Sequence, residues 1–301
     1  MSLSINNGIG KARGKYIARM DADDISLPNR LEDQVKYLED NPDISICGTN
    51  VTYLNEKGIE TPLLRDNFPL THEYIKAGLM FYCFIRHPTV MLKKDIMEEY
   101  NLMYDGDFNS SEDFELWSRA CHYIKFANMQ QVLLKYRFHS SNYTGLRKNE
   151  GANNYKKVMM DSFRRLEITF SSEELQLLCP LTCEINELNK KHVIEILQAC
   201  AQKIREANRI KHVYENEALE YALELRMGWT KHKYRHKVIT VIRKIAKFIN
   251  PYNNVSFVID KFSSHLELYG VVSTLKQLYI ALVSSERRRY FYEKRKSSDN
   301  N

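Results

Sequence analysis

Three carboxylates within four positions, Asp21, Asp23 and Asp24, sit in the run Gly14-Lys15-Tyr16-Ile17-Ala18-Arg19-Met20-Asp21-Ala22-Asp23-Asp24-Ile25-Ser26-Leu27-Pro28. Ionised carboxylates this close repel one another unless a cation stands among them, so a fold that keeps them must offset that repulsion. The β-favouring Tyr16 and Ile17 predict a short strand over residues 16–20, which puts the acids at a strand end. Ser26 as N-cap and Pro28 inside the first turn predict a helix directly after them.

The rest of the chain sets the frame for this stretch. With 301 residues, 44% of them hydrophobic and 27% charged, it is long enough for a sizeable core and for two domains. No apolar run approaches the roughly 18–20 residues of a membrane-spanning helix. Met1-Ser2-Leu3-Ser4 opens no apolar leader, so the default location is cytoplasmic. Cys47, Cys83, Cys121, Cys179, Cys183 and Cys200 are scattered and read as reduced, mostly buried thiols. The formal charge is +6, and basic residues concentrate beyond residue 230.

Residues 7–14, rich in glycine and charge, read as a loop. Leu31, Val35 and Leu38 recur at helical spacing until Asn41-Pro42 stops them. Residues 44–54 read as a strand turning at Asn55-Glu56-Lys57-Gly58 into a hairpin, and Thr71 as the cap of a helix through Phe81. A strand over 87–92, a helix over 93–99, a helix from Glu112 to Arg119, and strands over 124–127 and 132–138 follow. This alternation implies an α/β layer. Past Ser140-Ser141-Asn142 the periodicity is almost wholly helical, with a capping-box pattern at Ser171-Ser172-Glu173-Glu174 and one long charged helix over 189–226. The expected division is 1–145 and 146–301, with a disordered tail from Lys294.

A loop after a strand can aim Asp21 and Asp23 at one cation, and their hard oxygens suit Mg²⁺ or Mn²⁺ shared with substrate phosphates. The same pair also reads as a solvated acidic turn capping the next helix. An EF-hand counted from Asp21 finds Glu32 at its twelfth position but fails at the sixth, where Ser26 replaces glycine. A haloacid-dehalogenase-like phosphatase is a poor fit at Ile25. Ser111-Glu112-Asp113 places carboxylates at a helix start, suited to a general base or to a plain acidic cap. In Tyr136-Arg137-Phe138-His139, His139 can be a metal ligand and Arg137 can offset diphosphate charge, or the segment is ordinary surface. His87-Pro88 reads in isolation as a turn.

Taken together, the segment from Gly8 to Asp24, His87-Pro88-Thr89-Val90-Met91, the helix-start acids through Arg119, and Tyr136-Arg137-Phe138-His139 resemble glycosyltransferase family 2 in order and spacing. The likeness covers roughly residues 6–145. It implies a Rossmann-like GT-A fold, here a partial one, followed by an all-helical C-terminal region. It also implies Asp21 and Asp23 as the Asp-x-Asp pair holding Mn²⁺ or Mg²⁺, with Asp23 the favoured direct ligand and His139 a further one. Asp24 and Arg137 would serve the nucleotide, Asp113 would be the catalytic base, and Glu112 and His87 would lie in the acceptor site. The implied reaction is a single displacement with inversion, from a nucleotide-sugar donor to a hydroxyl of a glycan or lipid-linked acceptor, in surface-polysaccharide biosynthesis. Only about a dozen residues precede Gly14, so the strand–helix units that hold base and ribose are expected to be missing. The alternative reading is therefore a truncated, non-catalytic remnant or interaction module.

Beyond the likeness, residues 234–250 form a basic amphipathic pattern. Val238, Val241, Ile242, Ile245 and Ile249 lie on one side and Arg243, Lys244 and Lys247 on the other. With the lysines from 231 onward, this suits peripheral contact with an anionic membrane at its inner face, or packing on the α/β layer. No motif supports nucleic-acid binding.

Overall fold

The structure, a computed structural model, describes residues 2–55, 58–61, 68–137, 148–183 and 190–228. Phe138, His139, the basic pattern over 231–250 and the tail from Lys294 lie outside the described residues.

Six strands form one sheet: β1 (Tyr16–Ala18), β2 (Ile25–Ser26), β3 (Ile44–Leu54), β4 (Glu60–Thr61), β5 (Met91–Lys93) and β6 (Lys125–Arg137). They lie in the order β1-β5-β3-β6-β2, with β4 also pairing to β3. The pairing of β3 with β6 is parallel, and the other pairs are antiparallel. The β3 strand is buried along most of its length, as expected of a strand covered on both faces. Alternation decides what each residue meets. Cys47 packs with Leu38, Met91, Met129 and Leu133 beneath α2 (Arg30–Asp40), whereas Ile46 joins the larger core on the opposite face.

That larger core holds α1 (Ser2–Lys11), α3 (His72–Gly78), α4 (Lys94–Glu99) and α5 (Glu112–Ala120) against the sheet. The same cluster continues without a break into α6 (Lys148–Arg165), α7 (Ser172–Leu178), α8 (Lys190–Lys211) and α9 (Asn216–Gly228). Phe81 against Phe163 is one of the joins, with ring centroids 6.2 Å apart. The layer is thus α/β with a helical region after it, as the alternation implied. No helix among the described residues is long and apolar enough to cross a membrane.

Several local expectations are corrected. Residues 7–11 are not loop but the end of α1, which runs through Gly8 and Gly10, and only 12–14 lead into β1 as a loop. Tertiary bonds override their low helix propensity: the Asn6 amide donates to the Tyr104 carbonyl (2.8 Å) and accepts from its N–H (2.9 Å). Ser26 is no cap but lies in β2, and α2 starts behind Asn29. The buried side of α2 is Arg30, Gln34 and Leu38, while Leu31 is 55% exposed. The two strands expected over 124–127 and 132–138 are one, β6, whose register against β3 slips around Gln130 and Gln131. The 189–226 helix is two, broken where His212 adopts a left-handed φ of 53° and the Asn208 amide pairs with both backbone groups of Tyr214.

Candidate active site

The acidic stretch carries the chain from one edge strand of the sheet to the other. Past β1 the ladder continues for one bond, the N–H of Arg19 donating to the Val90 carbonyl at 3.0 Å. Residues 21–24 then turn tightly, with the Asp24 N–H on the Asp21 carbonyl at 3.3 Å, and β2 picks up β6. In the antiparallel register of β2 with β6, Ile25 lies opposite Lys135, so the last residue of β6 comes beside this turn. The N–H of Arg137 donates to Asp24 Oδ1 (2.8 Å) and its Nε to the Asp23 carbonyl (2.9 Å). Arg137, far away in sequence, is therefore brought to Asp21, Asp23 and Asp24.

The offset for the crowded acids is arginine. The Arg19 guanidinium forks onto Asp21, at 2.6 and 2.9 Å, with its side chain only 12% exposed. Beneath it, the fully buried Arg30 donates from Nη2 to the Arg19 carbonyl (2.7 Å) and from Nε to Gln34 (3.0 Å). Gln34 in turn donates to the Thr89 carbonyl at 2.8 Å, so α2 is tied to the strand ends by polar groups. Burial lowers the Arg30 guanidinium to about 10, which leaves it cationic at neutral pH. Arg19 thus pairs directly with Asp21, while Arg30 and Arg137 brace the turn through the Arg19 and Asp23 carbonyls. Asp24 is buried with its Oδ2 unpartnered, and desolvation, aided by Asp21 and Asp23, raises its carboxyl to about 6.

The second group of acids opens α5. Ser110 has a left-handed φ of 65°, and Ser111 Oγ lies within hydrogen-bond reach of the carbonyls of Ser110 (2.9 Å) and Gly151 (3.1 Å), with one O–H to share between them, which fixes the helix entry. Asp113 is half-buried; its Oδ1 accepts the Phe114 N–H (2.8 Å) and its Oδ2 faces the Cys83 thiol (3.7 Å). Burial raises the Asp113 carboxyl, opposed by the Phe114 N–H, the Arg19 charge and the Cys83 thiol. Glu112 is buried with Oε2 unpartnered and is also raised, by burial and then by the Asp113 charge, with Arg19 again opposing. Arg19 is the group that acts on both sets of carboxylates.

His87 is placed behind this wall. Its ring is 8% exposed, bonds through Nε2 to the Tyr104 hydroxyl (2.9 Å) and packs edge-on to Trp117. Burial drives its pKa well below the ordinary range, so it stays neutral. From there it presents little surface to a substrate. Sequence reasoning missed Arg19 and Arg30. The signal for Arg30 was its place four and eight residues before Gln34 and Leu38 on one helical face, and Arg19 carried none beyond its place just before the acids.

A divalent cation meets an obstacle here. Among the described residues no three His, Cys, Asp or Glu side chains are grouped to hold a metal. Asp21 is forked onto Arg19 and Asp24 is turned onto the Arg137 N–H, so the acidic turn as arranged does not fit the expected ion.

A family model described as "Glycosyl transferase family 2" matches residues 1–100, the part that holds the acidic turn and His87. An O-antigen biosynthesis glycosyltransferase, WbnJ of Escherichia coli, is 39% identical over 143 residues, covering 46% of this chain and 54% of that protein. Over its first hundred residues the chain is similar to glycosyltransferase family 2. An uncharacterized glycosyltransferase of Haemophilus influenzae is 29% identical over 201 residues, covering 64% of this chain and 58% of that one. The chain thus spans only a little over half the length of these two curated family relatives. Among solved structures, Staphylococcus aureus TarS 1-349 in complex with UDP-GlcNAc aligns over 77% of this chain and 71% of its own, at 10% identity and a TM-score of 0.42.

Proposed function

We propose that the chain transfers a sugar, with inversion, from a nucleotide-sugar donor to a hydroxyl of a glycan or lipid-linked acceptor, in surface-polysaccharide biosynthesis. The observation that carries this reading is Asp113. It is a carboxylate at the entry of α5, buried enough to be raised above an ordinary aspartate yet opposed by the charge of Arg19. A raised carboxyl is a stronger base than a solvated carboxylate, which is what proton removal from an acceptor hydroxyl requires. The family match over residues 1–100 and the O-antigen assignment of the Escherichia coli relative support the substrate class.

In this mechanism the acceptor oxygen attacks the anomeric carbon as Asp113 takes its proton. The bond from that carbon to the diphosphate breaks, and the nucleoside diphosphate leaves with the electron pair. Only one carboxylate need face the anomeric carbon, because no covalent sugar–enzyme intermediate forms. Glu112 lies beside the acceptor hydroxyl, and Arg137 supplies positive charge on the donor side. No step is routed through Mn²⁺ or Mg²⁺. The basic pattern over 231–250 is assigned to an anionic membrane surface on the cytoplasmic side, near a lipid-linked acceptor.

The test is transfer or donor hydrolysis with a panel of radiolabelled nucleotide sugars. Asp113→Asn is expected to lower kcat by roughly 10²–10⁴ with an unchanged melting temperature. The wild-type profile of kcat against pH should show an acid limb above the usual aspartate range, since activity requires the deprotonated form of a raised carboxyl. Full activity in Asp113→Asn would remove the base assignment.

A further inference from the structure

The loop between α3 and β5 brings a thiol to Asp113. Cys83 is partly buried, and its Sγ lies 3.7 Å from Asp113 Oδ2 and 3.5 Å from the Ile85 carbonyl. The other carboxylate oxygen, Oδ1, accepts the Phe114 N–H at 2.8 Å. Among the described residues Cys83 is the one side chain that hydrogen-bonds to Asp113. The loop is anchored on both sides of the thiol. The Phe81 carbonyl accepts the Tyr155 hydroxyl (2.9 Å), and the Phe84 carbonyl accepts the Asn128 amide (2.9 Å), with the Phe84 ring fully buried. The place of Cys83 is therefore set by α6 and β6, not by Asp113. Burial, and then the Asp113 charge, push the thiol well above its ordinary range, so it keeps its proton and acts as a donor.

We propose that Cys83 is a positioning residue for Asp113, its S–H holding Oδ2 in place while the carboxylate is ionised and turning to the Ile85 carbonyl once Asp113 is protonated. The proposal rests on the reading of Asp113 as the base of sugar transfer. A thiol has one proton to donate, and here two acceptors lie within its reach. An ionised carboxylate is the stronger acceptor and takes the S–H. After Asp113 has received the acceptor's proton that advantage is lost, and the Ile85 carbonyl competes. No proton leaves the sulfur, and no bond to it forms or breaks. Because a thiol is a weak donor, it orients the carboxylate with less loss of basicity than a hydroxyl would cause. The other charged or titratable groups about this contact are Arg19 beyond β1, Glu112 on α5, the Tyr104 and Tyr155 phenols, and Arg86 beside the thiol. Burial raises both phenols, which stay neutral, so of these Glu112 alone titrates alongside Asp113.

Two measurements on the full chain test this. The first follows the infrared S–H stretching band of Cys83, identified by its loss in Cys83→Ser. In wild type the band should move to higher frequency as lowering the pH protonates Asp113. In Asp113→Asn, where Glu112 still titrates, it should stay fixed. The second is kcat against pH, read by donor hydrolysis. Cys83→Ala leaves Oδ2 without its donor, and should shift the acid limb up by about 0.5–1 pH unit and lower kcat by about threefold to tenfold. Cys83→Ser keeps a donor on the same carbon, and should return the limb to the wild-type position or below it. A band that ignores pH in wild type, or moves equally in Asp113→Asn, overturns the proposal. So do coincident limbs in wild type and Cys83→Ala, or equal displacement in both Cys83 variants. An immobile band in an active enzyme ends this proposal alone, whereas a moving band in an inactive chain ends the transferase reading.

Discussion

At the scale of single residues, the carboxylates were legible and their partners were not. A run of aspartates announces a charge problem in any context. Which cation solves it depends on residues that only the fold brings near, Arg30 from a helix face and Arg137 from the far strand. Asp24 shows the energetic consequence. Its carboxyl is raised to about 6 against an ordinary 3.8, so the folded chain holds that proton more tightly than the unfolded chain. Its contribution therefore favours the fold below about pH 4, fades as pH rises to about 6, and is gone above that. Asp24→Asn should flatten this part of the pH dependence, raising stability at pH 7.5 relative to wild type by up to about 3 kcal/mol. Urea unfolding of both proteins at pH 4.5 and 7.5 measures it, and parallel pH profiles would refute it.

Among elements, strong periodicity was readable and tertiary override was not. β3 and its hairpin to β4 fell where the β-branched run and the turn residues put them. The α1 helix did not, because its glycines argue locally for a loop while Ile9 and Asn6 are held by distant residues. The unity of β6 was hidden by Gln130 and Gln131, whose polarity marks the register slip rather than a strand end; the Asn50 amide bridges it by donating to the Gln130 carbonyl at 2.9 Å. The fit of β3 to β6 is tight at Gly48, where an added Cβ would lie 2.5 Å from Asn128 Oδ1. Asn128 cannot swing away, since its amide donates to the carbonyls of Pro69 (2.8 Å) and Phe84 (2.9 Å). Gly48→Ala is expected to lose about 1–3 kcal/mol in chemical denaturation through overpacking, and an unchanged midpoint would show that the strands yield.

For the molecule as a whole, the decisive feature is one core running from the sheet into the later helices. Phe163 on α6 touches Phe81 on one side and Phe170 on the other, and is 2% exposed. Phe163→Ala should lower stability by about 3–5 kcal/mol. Amide exchange should then quicken in α3 as well as in α6, whereas loss of protection in α6 alone would mean that the helices melt as a separate unit. The parallel pairing of β3 with β6 also has a consequence for synthesis. Ile46 meets Phe126 and Leu54 meets Arg137, so β3 must wait for its partner while some eighty further residues are made. At about 5–20 residues per second, this leaves the β6-facing edge of an apolar strand unpaired on the ribosome for roughly 4–16 seconds. The acidic turn, translated early, gains the Arg137 N–H only when β6 is complete. The nascent chain thus carries its most strongly charged loop uncompensated on that side until the sheet closes.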